Sequence, residues 1–311
     1  SGGKDSTVAL HIMYDIFSKR PSISLYAITV DEGIKGYRDK SLKSAIKNCH
    51  MLGIDHHIIT FKEAIGTTMD EIASTPNELG ECTYCGVFRR FCLNKKTKEL
   101  GINKLITGHN LDDMSQSILM NFIGGDMQKL ARLGPHKKIQ PGLVPRALPL
   151  RTIPEKEVML YALLKNIEFH NAECPYSLRA SRRYYRDIID NLEYNNPGTR
   201  HSILNSYDSI KELLYQKYPP ANLNKCHSCG EPTSQSMCKT CLLKKFPSLN
   251  SPLENTSSTL NETEYDSNGI SFLLIPARIA WVNSFSSFAN ILFNSPKSIR
   301  FICFGLILGS F

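Results

Sequence analysis

The first residues of the sequence have the composition of a loop that binds phosphate. They are, in order, Ser1, Gly2, Gly3, Lys4, Asp5 and Ser6. Two successive glycines allow a positive φ and a close backbone approach to a ligand. The helical pattern that follows places free N–H groups at the end of this turn. Lys4 and Ser6 add donors, and Asp5 can hold Mg²⁺ or orient a reacting group. The Walker A spacing is absent, so a nucleotide-binding loop of another class, or an ordinary glycine-rich turn, is indicated.

A second polar segment follows a short apolar run and precedes another helical pattern. It consists of Gly108, His109, Asn110, Leu111, Asp112 and Asp113. Asn110 is suited to cap the helix, and the two carboxylates can bind Mg²⁺ or accept a proton. Helix capping with solvated acids is the alternative interpretation.

Cysteines supply a third kind of chemistry, at Cys82 and Cys85 and again at Cys174. The CxxC spacing lets two thiolates hold one metal centre or form a redox pair. We predict that the pair lies just before a helix over 87–100, whose N-terminal dipole favours the thiolate. Three cysteines fit an iron–sulfur cluster with one iron free of protein ligands. The alternatives are structural zinc on the pair and a core thiol at Cys174. Arg89 can neutralise developing phosphate charge, unless it lies on a solvated helix face.

Four further cysteines form a compact module towards the end of the chain. They are Cys226, Cys229, Cys238 and Cys241, two CxxC pairs that are eight residues apart. This arrangement is typical of a structural zinc ribbon with four thiolate ligands.

The apolar pattern between these motifs predicts alternating strands and helices. Strands are predicted over 24–30, 56–60 and 104–107, and helices over 37–52, 61–74, 114–122, 155–165, 179–192 and 201–218. Such alternation indicates an α/β fold with a parallel sheet covered on both faces. Ligands bind such sheets at the carboxyl ends of the strands. The phosphate loop over 1–6, the turn over 31–33 with Asp31, and the segment 108–113 are therefore expected at one edge of the sheet.

The charge of the chain suits a polyanionic partner. The 311 residues carry a formal net charge of +8, and the basic excess lies before residue 246. The positions predicted to contact RNA are Lys137, Lys138, Arg179, Arg182 and Arg183. Guanidinium and ammonium groups bind phosphates, and tyrosines among them can stack on unpaired bases. A solvated helix with core tyrosines is the alternative.

Ten cysteines and the lack of a secretory signal pattern indicate a cytoplasmic protein. In that compartment thiols serve metals or catalysis more often than disulfides. No uninterrupted apolar run reaches the length of about 18 residues that a membrane-spanning helix needs, so we predict no membrane partner.

Taken together, the motifs resemble those of a known family. The run SGGKDS is similar to the pyrophosphate loop (PP-loop) of the N-type ATP pyrophosphatases. With CTYCG, TGHNLDD, PLRTIPEKEV, ECPYS and the C-terminal cysteine pairs, residues 1–245 resemble the tRNA 2-thiouridine synthetases. That family includes the catalytic subunits of cytoplasmic tRNA 2-thiolation. The resemblance implies a PP-loop ATP pyrophosphatase core, of the adenine nucleotide alpha hydrolase-like type, with a C-terminal zinc ribbon.

The resemblance also implies a reaction. ATP adenylates the C2 oxygen of the wobble uridine, pyrophosphate leaves, and sulfur then displaces AMP. In the family, the aspartates that match Asp5 and Asp113 belong to the active site, and a lysine of relatives falls on Arg89. The cysteines that match Cys82, Cys85 and Cys174 hold a [4Fe–4S] cluster. Residues 1–6, Asp31, Gly108 and His109 bind ATP with Mg²⁺ by the same analogy. The implied partners are tRNA, a ubiquitin-related modifier that donates sulfur, and a homologous second subunit.

The sequence also departs from the family pattern. No strand and no N-terminal zinc ribbon precede the loop, which favours a truncated sequence. The expected parts are the PP-loop core over 1–150, a helical tRNA-binding part over 151–221, a zinc ribbon over 222–245 and an irregular tail over 246–311. Two alternatives remain open at this point. One is another PP-loop tRNA-modifying enzyme, similar to lysidine or thiocytidine synthetases. The other is an inactive tRNA-binding subunit that lacks the first strand.

Overall fold

The computed structural model describes residues 1–76, 79–136, 140–179, 181–245 and 299–304. The chain divides into two compact units, Ser1–Pro247 with Ser298–Phe311, and Ser248–Lys297. The second unit lies outside the described residues.

A five-stranded sheet forms the centre of the first unit. Its strands are β1 (Ile23–Asp31), β2 (Asp55–Thr60), β3 (Lys104–Thr107), β4 (Arg146–Ala147) and β7 (Ile299–Phe304). They are arranged in the order β2-β1-β7-β3-β4, and every neighbouring pair is parallel. A separate two-stranded antiparallel ribbon joins β5 (Asn224–Lys225) to β6 (Pro232–Thr233). The parallel α/β fold predicted from the alternation of elements is confirmed.

Helices connect the strands and cover the sheet. They are α1 (Lys4–Phe17), α2 (Arg38–Met51), α3 (Phe61–Ile65), α4 (Met69–Ala73), α5 (Glu81–Glu99), α6 (Leu111–Ile123), α7 (Met127–Ala131), α8 (Glu155–Leu164), α9 (Arg182–Asn195), α10 (Thr199–Lys217) and α11 (Lys239–Lys245), with a 3₁₀ helix at Pro175–Arg179. Buried residues Val8, Met13 and Phe17 show why α1 forms, because they recur on the face that packs inward.

The position between β1 and β3 is taken by β7. In a doubly wound sheet, a strand that leads into the first phosphate loop normally lies at this place. An irregular tail is predicted over 246–311, but its segment Ile299–Phe304 forms a strand here. Its β-branched and aromatic residues Ile299, Phe301, Ile302 and Phe304 favour a strand. The rest of the predicted tail lies outside the described residues.

Two local predictions differ from the structure. The single helix predicted over 61–74 is two helices, because Gly66 ends α3 in the left-handed region at φ 94° and Thr68 caps α4. The helix predicted over 87–100 begins six residues earlier, at Glu81. Tyr84, Cys85 and Phe88 are all buried, so packing extends the helix through Gly86.

The C-terminal cysteine module packs on the main body through α11. Leu243 is 1% exposed and belongs to the core cluster that includes Phe88 and Cys92 of α5. The Lys244 ammonium group donates a hydrogen bond to the carbonyl oxygen of Ala64 at 3.3 Å. Among the residues that the structure describes, no helix has the length and apolar character needed to cross a bilayer.

Candidate active site

The glycine-rich turn leads directly into α1. Gly3 is the N-cap, in an extended conformation, and its carbonyl oxygen accepts hydrogen bonds from the Ser6 and Thr7 hydroxyls at 2.7 and 2.9 Å. Gly2 has φ +80°, and a Cβ there would collide with the backbone carbonyl of Ser41. The loop backbone therefore lies against α2, and the N-terminal N–H groups of α1 stay available for an anionic ligand.

A matched pair of glycine variants tests this packing. We expect Gly2→Ala to lower the free energy of unfolding by about 3 kcal/mol or more, because it combines a positive φ with a backbone clash. At Gly3 the φ is −77°, and the nearest atom to an added Cβ is the Ser1 hydroxyl oxygen at 3.8 Å. Gly3→Ala should therefore change stability by less than about 1 kcal/mol. Denaturant unfolding measures both, and equal effects would contradict this geometry.

A carboxylate cluster faces the loop from the start of α6. Asn110 and Asp113 form a reciprocal capping box, with hydrogen bonds of 2.9 and 3.2 Å. The Asn110 amide also donates to Asp5 Oδ1 at 3.0 Å. A Cβ on Gly108 would lie 2.7 Å from the Asp5 carbonyl oxygen, so the two segments touch through their backbones. The sheet thus brings the two predicted polar segments together at the carboxyl end of β3.

Asp113 is buried, and its charge state is unusual. Burial raises the pKa of this carboxyl to about 7, with Arg182 opposing the shift and Asp5 adding to it. Arg182, on α9, is 3.4 Å from Asp113 Oδ1 and donates to the Ser117 hydroxyl at 2.8 Å. A carboxyl with a pKa near neutrality can take up and release protons under physiological conditions.

Asp112 points to a different set of partners. Its carboxylate lies 2.7 Å from Arg200 Nε of α10 and accepts the Glu155 N–H at 2.7 Å, at the start of α8. Glu155 in turn pairs with Lys4 at 2.6 Å. Burial lowers the pKa of Lys4, but the negative charges of Asp5 and Glu155 outweigh it and raise the pKa overall. Asp112 therefore anchors the C-terminal helices to the loop, whereas Asp113 faces Asp5.

The three cysteines proposed as ligands are brought to one region by α5 and the segment before the 3₁₀ helix. Cys82 and Cys85 lie in the first turns of α5, whereas the sequence predicted them just before the helix. Cys82 Sγ donates to the Tyr176 carbonyl oxygen at 3.7 Å. The Ser177 N–H and hydroxyl both donate to the carbonyl oxygen of Cys174, at 2.9 and 2.6 Å. The turn after Cys174 is thereby fixed against the start of α5.

The electrostatics of these cysteines show their proximity. Burial raises the pKa of Cys85 to about 11, with Arg89 opposing the shift and Cys174 adding to it. Burial also raises the pKa of Cys174, and Cys82 adds to that shift. Arg89 Nη2 donates to Cys85 Sγ at 2.9 Å, which favours the thiolate.

The spacing of these three thiols bears on the metal they fit. Over the described part of the chain, only the C-terminal cysteines bring three or more ligand atoms within 4.8 Å of one another. Cys82, Cys85 and Cys174 do not belong to such a group. Three cysteine ligands fit a [4Fe–4S] cluster, in which each thiolate binds its own iron.

A short segment connects the phosphate loop with Cys174. The His170 N–H donates to the Gly2 carbonyl oxygen at 2.7 Å. The His170 ring lies 5.5 Å from the ring of buried Tyr37, and Cys174 contributes to the raised pKa of Tyr37, after burial. Four extended residues span at most about 14 Å, so Cys174 lies within that distance of His170. A short segment therefore connects Cys174 to the phosphate loop.

Three arginine side chains act on His109, in the segment that contacts the phosphate loop. Burial lowers the pKa of His109 to about 3, and Arg182, Arg146 and Arg89 lower it further. These arginines come from α9, β4 and α5. Neutral His109 is held by Thr107 Oγ1 at 2.8 Å from its Nδ1. Guanidinium groups converging from three elements suit a polyanionic ligand such as a nucleotide or RNA phosphate.

The predicted RNA-contacting residues do not share one environment. Lys137 and Lys138 lie outside the described residues, and the side chain of Arg179 is likewise not described. Arg183 is exposed on α9. Arg182 is 4% exposed and pairs with Asp113, so it does not belong to an exposed RNA-binding face. It follows Ser181 at the start of α9, where the helix turns this side chain inward.

Other site residues carry a weaker sequence signal. Asp31 stays half-buried at the end of β1 and accepts the Gly33 N–H at 2.8 Å. Arg38 and the loop contact His170 are absent from the residues predicted from the sequence, and Glu32 is included only as part of the turn 31–33, without a role of its own. An acidic residue directly after a strand, followed by a glycine, is the one signal that points to Glu32.

The C-terminal cysteines form a compact group. Ligand atoms of Cys226, Cys229, Cys238 and Cys241 all lie within 4.8 Å of one another. The backbone N–H groups of Cys238 and Cys241 donate to the sulfur atoms of Cys226 and Cys238 at 3.2 and 3.4 Å. Such N–H···S hydrogen bonds stabilise thiolates, so the donor set suits a tetrahedral metal ion.

A glycine-rich anion loop at the start of α1, set on a parallel sheet, defines a PP-loop α/β protein. Residues 1–192 match the family described as PP-loop domain. The chain is 43% identical over 254 residues to the tRNA 2-thiolation protein NcsA of Haloferax volcanii, covering 78% of this chain and 79% of that protein. It is 38% identical to the cytoplasmic tRNA 2-thiolation protein 1 of Xenopus laevis, covering 78% and 71%.

A solved structure shows the same likeness. The U34-tRNA thiolase NcsA from Methanococcus maripaludis, with its [4Fe–4S] cluster, matches with a TM-score of 0.68 and 40% identity, covering 79% of this chain and 78% of that one. The chain therefore belongs to the PP-loop family, in its branch of tRNA 2-thiolation proteins.

Proposed function

We propose that the chain is a tRNA uridine 2-sulfurtransferase that activates the wobble uridine with ATP before sulfur is transferred. The observation that carries the proposal is the convergence of two sites. Asn110 connects Asp5 to the start of α6, which carries Asp113, and His170, four residues before Cys174, donates to the carbonyl oxygen of Gly2. The relatives named as tRNA 2-thiolation proteins support the same reaction.

The phosphate loop prepares the leaving group. The C2 oxygen of uridine is a poor leaving group, so it first attacks the α-phosphorus of ATP and pyrophosphate departs. The N–H groups at the start of α1 and the Lys4 ammonium group bind the departing phosphates. Asp5 supplies a carboxylate for the Mg²⁺ that accompanies ATP.

Asp113 handles a proton in this step. As the C2 oxygen forms its bond to phosphorus, the N3–H of uridine becomes acidic and its proton moves to a nearby base. With a pKa of about 7, Asp113 accepts that proton in its ionised form. The Arg182 guanidinium group and the Asn110 backbone N–H hold the carboxylate in place through contacts of 3.4 and 3.2 Å.

Sulfur enters from the side of the three cysteines. Cys82, Cys85 and Cys174 would hold a [4Fe–4S] cluster, whose fourth iron has no protein ligand and can bind a sulfide. Attack of sulfur at C2 breaks the C2–O bond, and AMP leaves with that oxygen. Arg89, 2.9 Å from Cys85 Sγ, supplies positive charge next to the developing AMP phosphate. The sulfur donor is a ubiquitin-related modifier with a C-terminal thiocarboxylate, and a homologous second subunit completes the assembly.

The tRNA contacts the outer face of the C-terminal helices. Arg183 and Tyr184 are exposed on α9, and the Tyr184 ring is 68% exposed. A cation beside an exposed aromatic ring suits unpaired nucleotides of an anticodon loop. Zn²⁺ bound by the four C-terminal cysteines keeps α11 folded against α5, with Leu243 in the core.

Reconstitution of the full chain tests this function. The chain is loaded with iron and sulfide without oxygen, then incubated with ATP, Mg²⁺, sulfide and unmodified tRNA. We expect 2-thiouridine at the wobble position by mass spectrometry of digested tRNA, with none formed when ATP or iron is omitted. Pyrophosphate release without thiolation under all conditions would contradict the proposal, and so would iron-independent thiolation.

A further inference from the structure

Glu32 has no role in the proposed reaction, but it lies between the phosphate loop and the cysteine group. It follows β1 and is 1% exposed. The Gly33 N–H closes a turn onto Asp31 Oδ1 at 2.8 Å, and Gly33 has φ +70°. This turn leaves the Glu32 side chain inside the protein, where an ionised carboxylate is costly unless it is paired.

Two arginines from different helices share this carboxylate. Arg38 Nε of α2 lies 2.8 Å from Glu32 Oε2, and Arg89 Nε of α5 lies 3.0 Å from Oε1. Each arginine then reaches one half of the site. Arg38 Nη1 donates to the Ser1 carbonyl oxygen at 3.4 Å, in the phosphate loop. Arg89 Nη2 donates to Cys85 Sγ at 2.9 Å, in the cysteine group.

The charges of this group explain why a carboxylate is needed there. Two buried guanidinium groups repel each other, and one carboxylate between them removes most of that repulsion. One positive charge remains, and Arg89 directs it towards Cys85 Sγ. Replacing the carboxylate by a neutral group leaves two buried cations without their shared counter-charge, so both arginines would lose their fixed positions.

We propose that Glu32 is a positioning residue that couples the nucleotide loop to the cysteine site by holding Arg38 on Ser1 and Arg89 on Cys85. It touches neither ATP nor tRNA. The inference deepens the proposed function and rests on it for the identity of the two halves. This role predicts that one neutral substitution at Glu32 changes both the nucleotide loop and the cysteine site, although the two are formed by segments far apart in the sequence.

Glu32→Gln tests this coupling at both ends. In the iron-free full chain, we expect the affinity for α,β-methylene ATP to fall about tenfold, because the loop loses its tie through Arg38. In the iron-loaded chain, we expect the midpoint potential to rise, since a negative charge near the cluster is removed. A tenfold change in the reduction equilibrium corresponds to about 59 mV for one electron. Calorimetry and a redox titration followed by electron paramagnetic resonance measure the two effects.

The control is Glu99→Gln on α5, the helix that carries Arg89. Glu99 is an exposed partner of Lys96 at 3.3 Å. It should change neither quantity. If Glu32→Gln changes only one quantity, or neither, in a chain that still folds, the coupling is wrong. If Glu32→Gln does not fold, the same two quantities are measured on Glu32→Asp. This variant keeps the negative charge but places it one methylene group further from the arginines. Smaller shifts in the same directions at both ends support the inference, and unchanged values contradict it. A wild-type chain that binds no iron contradicts the proposed function, while the ATP measurement still tests the Arg38 contact.

Discussion

Replacing Cys174 by serine is expected to abolish tRNA thiolation while ATP still binds. Cys174 is the one cysteine of its group that comes from outside α5, and its neighbours Tyr176 and Ser177 hold it against the start of that helix. Serine cannot supply a thiolate, so only two cysteine ligands remain. We therefore expect the variant to lose most of its bound iron. We expect thiolation to decrease more than about a hundredfold, since loss of a metal ligand exceeds the cost of losing its outer partners. Iron analysis and 2-thiouridine formation are measured on the same preparation.

The matched control is Cys49→Ala. Cys49 is buried on α2, and burial raises its pKa to about 11, as expected for an inert core thiol. We expect iron content and thiolation close to those of the wild-type chain. A Cys174→Ser variant that keeps its iron, or thiolates at the wild-type rate, would show that this cysteine is a core thiol and not a ligand.

Replacing Asp113 by asparagine is expected to remove the proton acceptor while the capping of α6 survives, because asparagine keeps an oxygen acceptor. We expect thiolation to fall by about 10²–10⁴. In the wild-type chain, the rate should rise with pH through about 7, where Asp113 ionises, and then level off. The variant should lack this rise. Single-turnover rates measured from about pH 5.5 to about pH 8.5 test both effects.

The raised pKa of Asp113 also predicts how the free energy of unfolding depends on pH. The pKa of Asp113 is raised in the folded chain from 3.8 to about 7, so the folded state holds this proton more tightly. Its contribution to folding is fully present below about pH 4 and is lost as the pH rises through about 7. The free energy of unfolding of the wild-type chain, relative to Asp113→Asn, should therefore decrease between those values. Asp126→Asn, at the N-cap of α7, serves as the control and should show no such trend.

The motifs with local spacing were predictable from the sequence. The glycines and donors of residues 1–6, the CxxC pairs and the segment 108–113 each need only neighbouring residues to be recognised. The sheet then places the loop beside residues 108–113, as the carboxyl ends of parallel strands require. The contact between Asn110 and Asp5 is the direct result.

The remainder depends on tertiary packing, which a single sequence does not show. Glu32 and Arg38 are charged, and a sequence alone favours the surface for such residues. Their burial depends on Arg89, which lies far away in the chain. Arg182 belongs to a basic stretch, and only the position of α9 against α6 turns it towards Asp113. At Gly66 the sequence did contain the break between α3 and α4, since a glycine followed by Thr68 and Glu71 is a helix end and a capping box.

The central claim is that the loop adenylates the same uridine carbonyl that sulfur later displaces, and one isotope measurement tests it. Transfer RNA that carries ¹⁸O at C2 of the wobble uridine is thiolated by the iron-loaded chain with ATP, and the released AMP is analysed by mass spectrometry. The account predicts one ¹⁸O in the phosphate of AMP for each 2-thiouridine formed. Unlabelled AMP, with the isotope recovered in water or pyrophosphate, would contradict it.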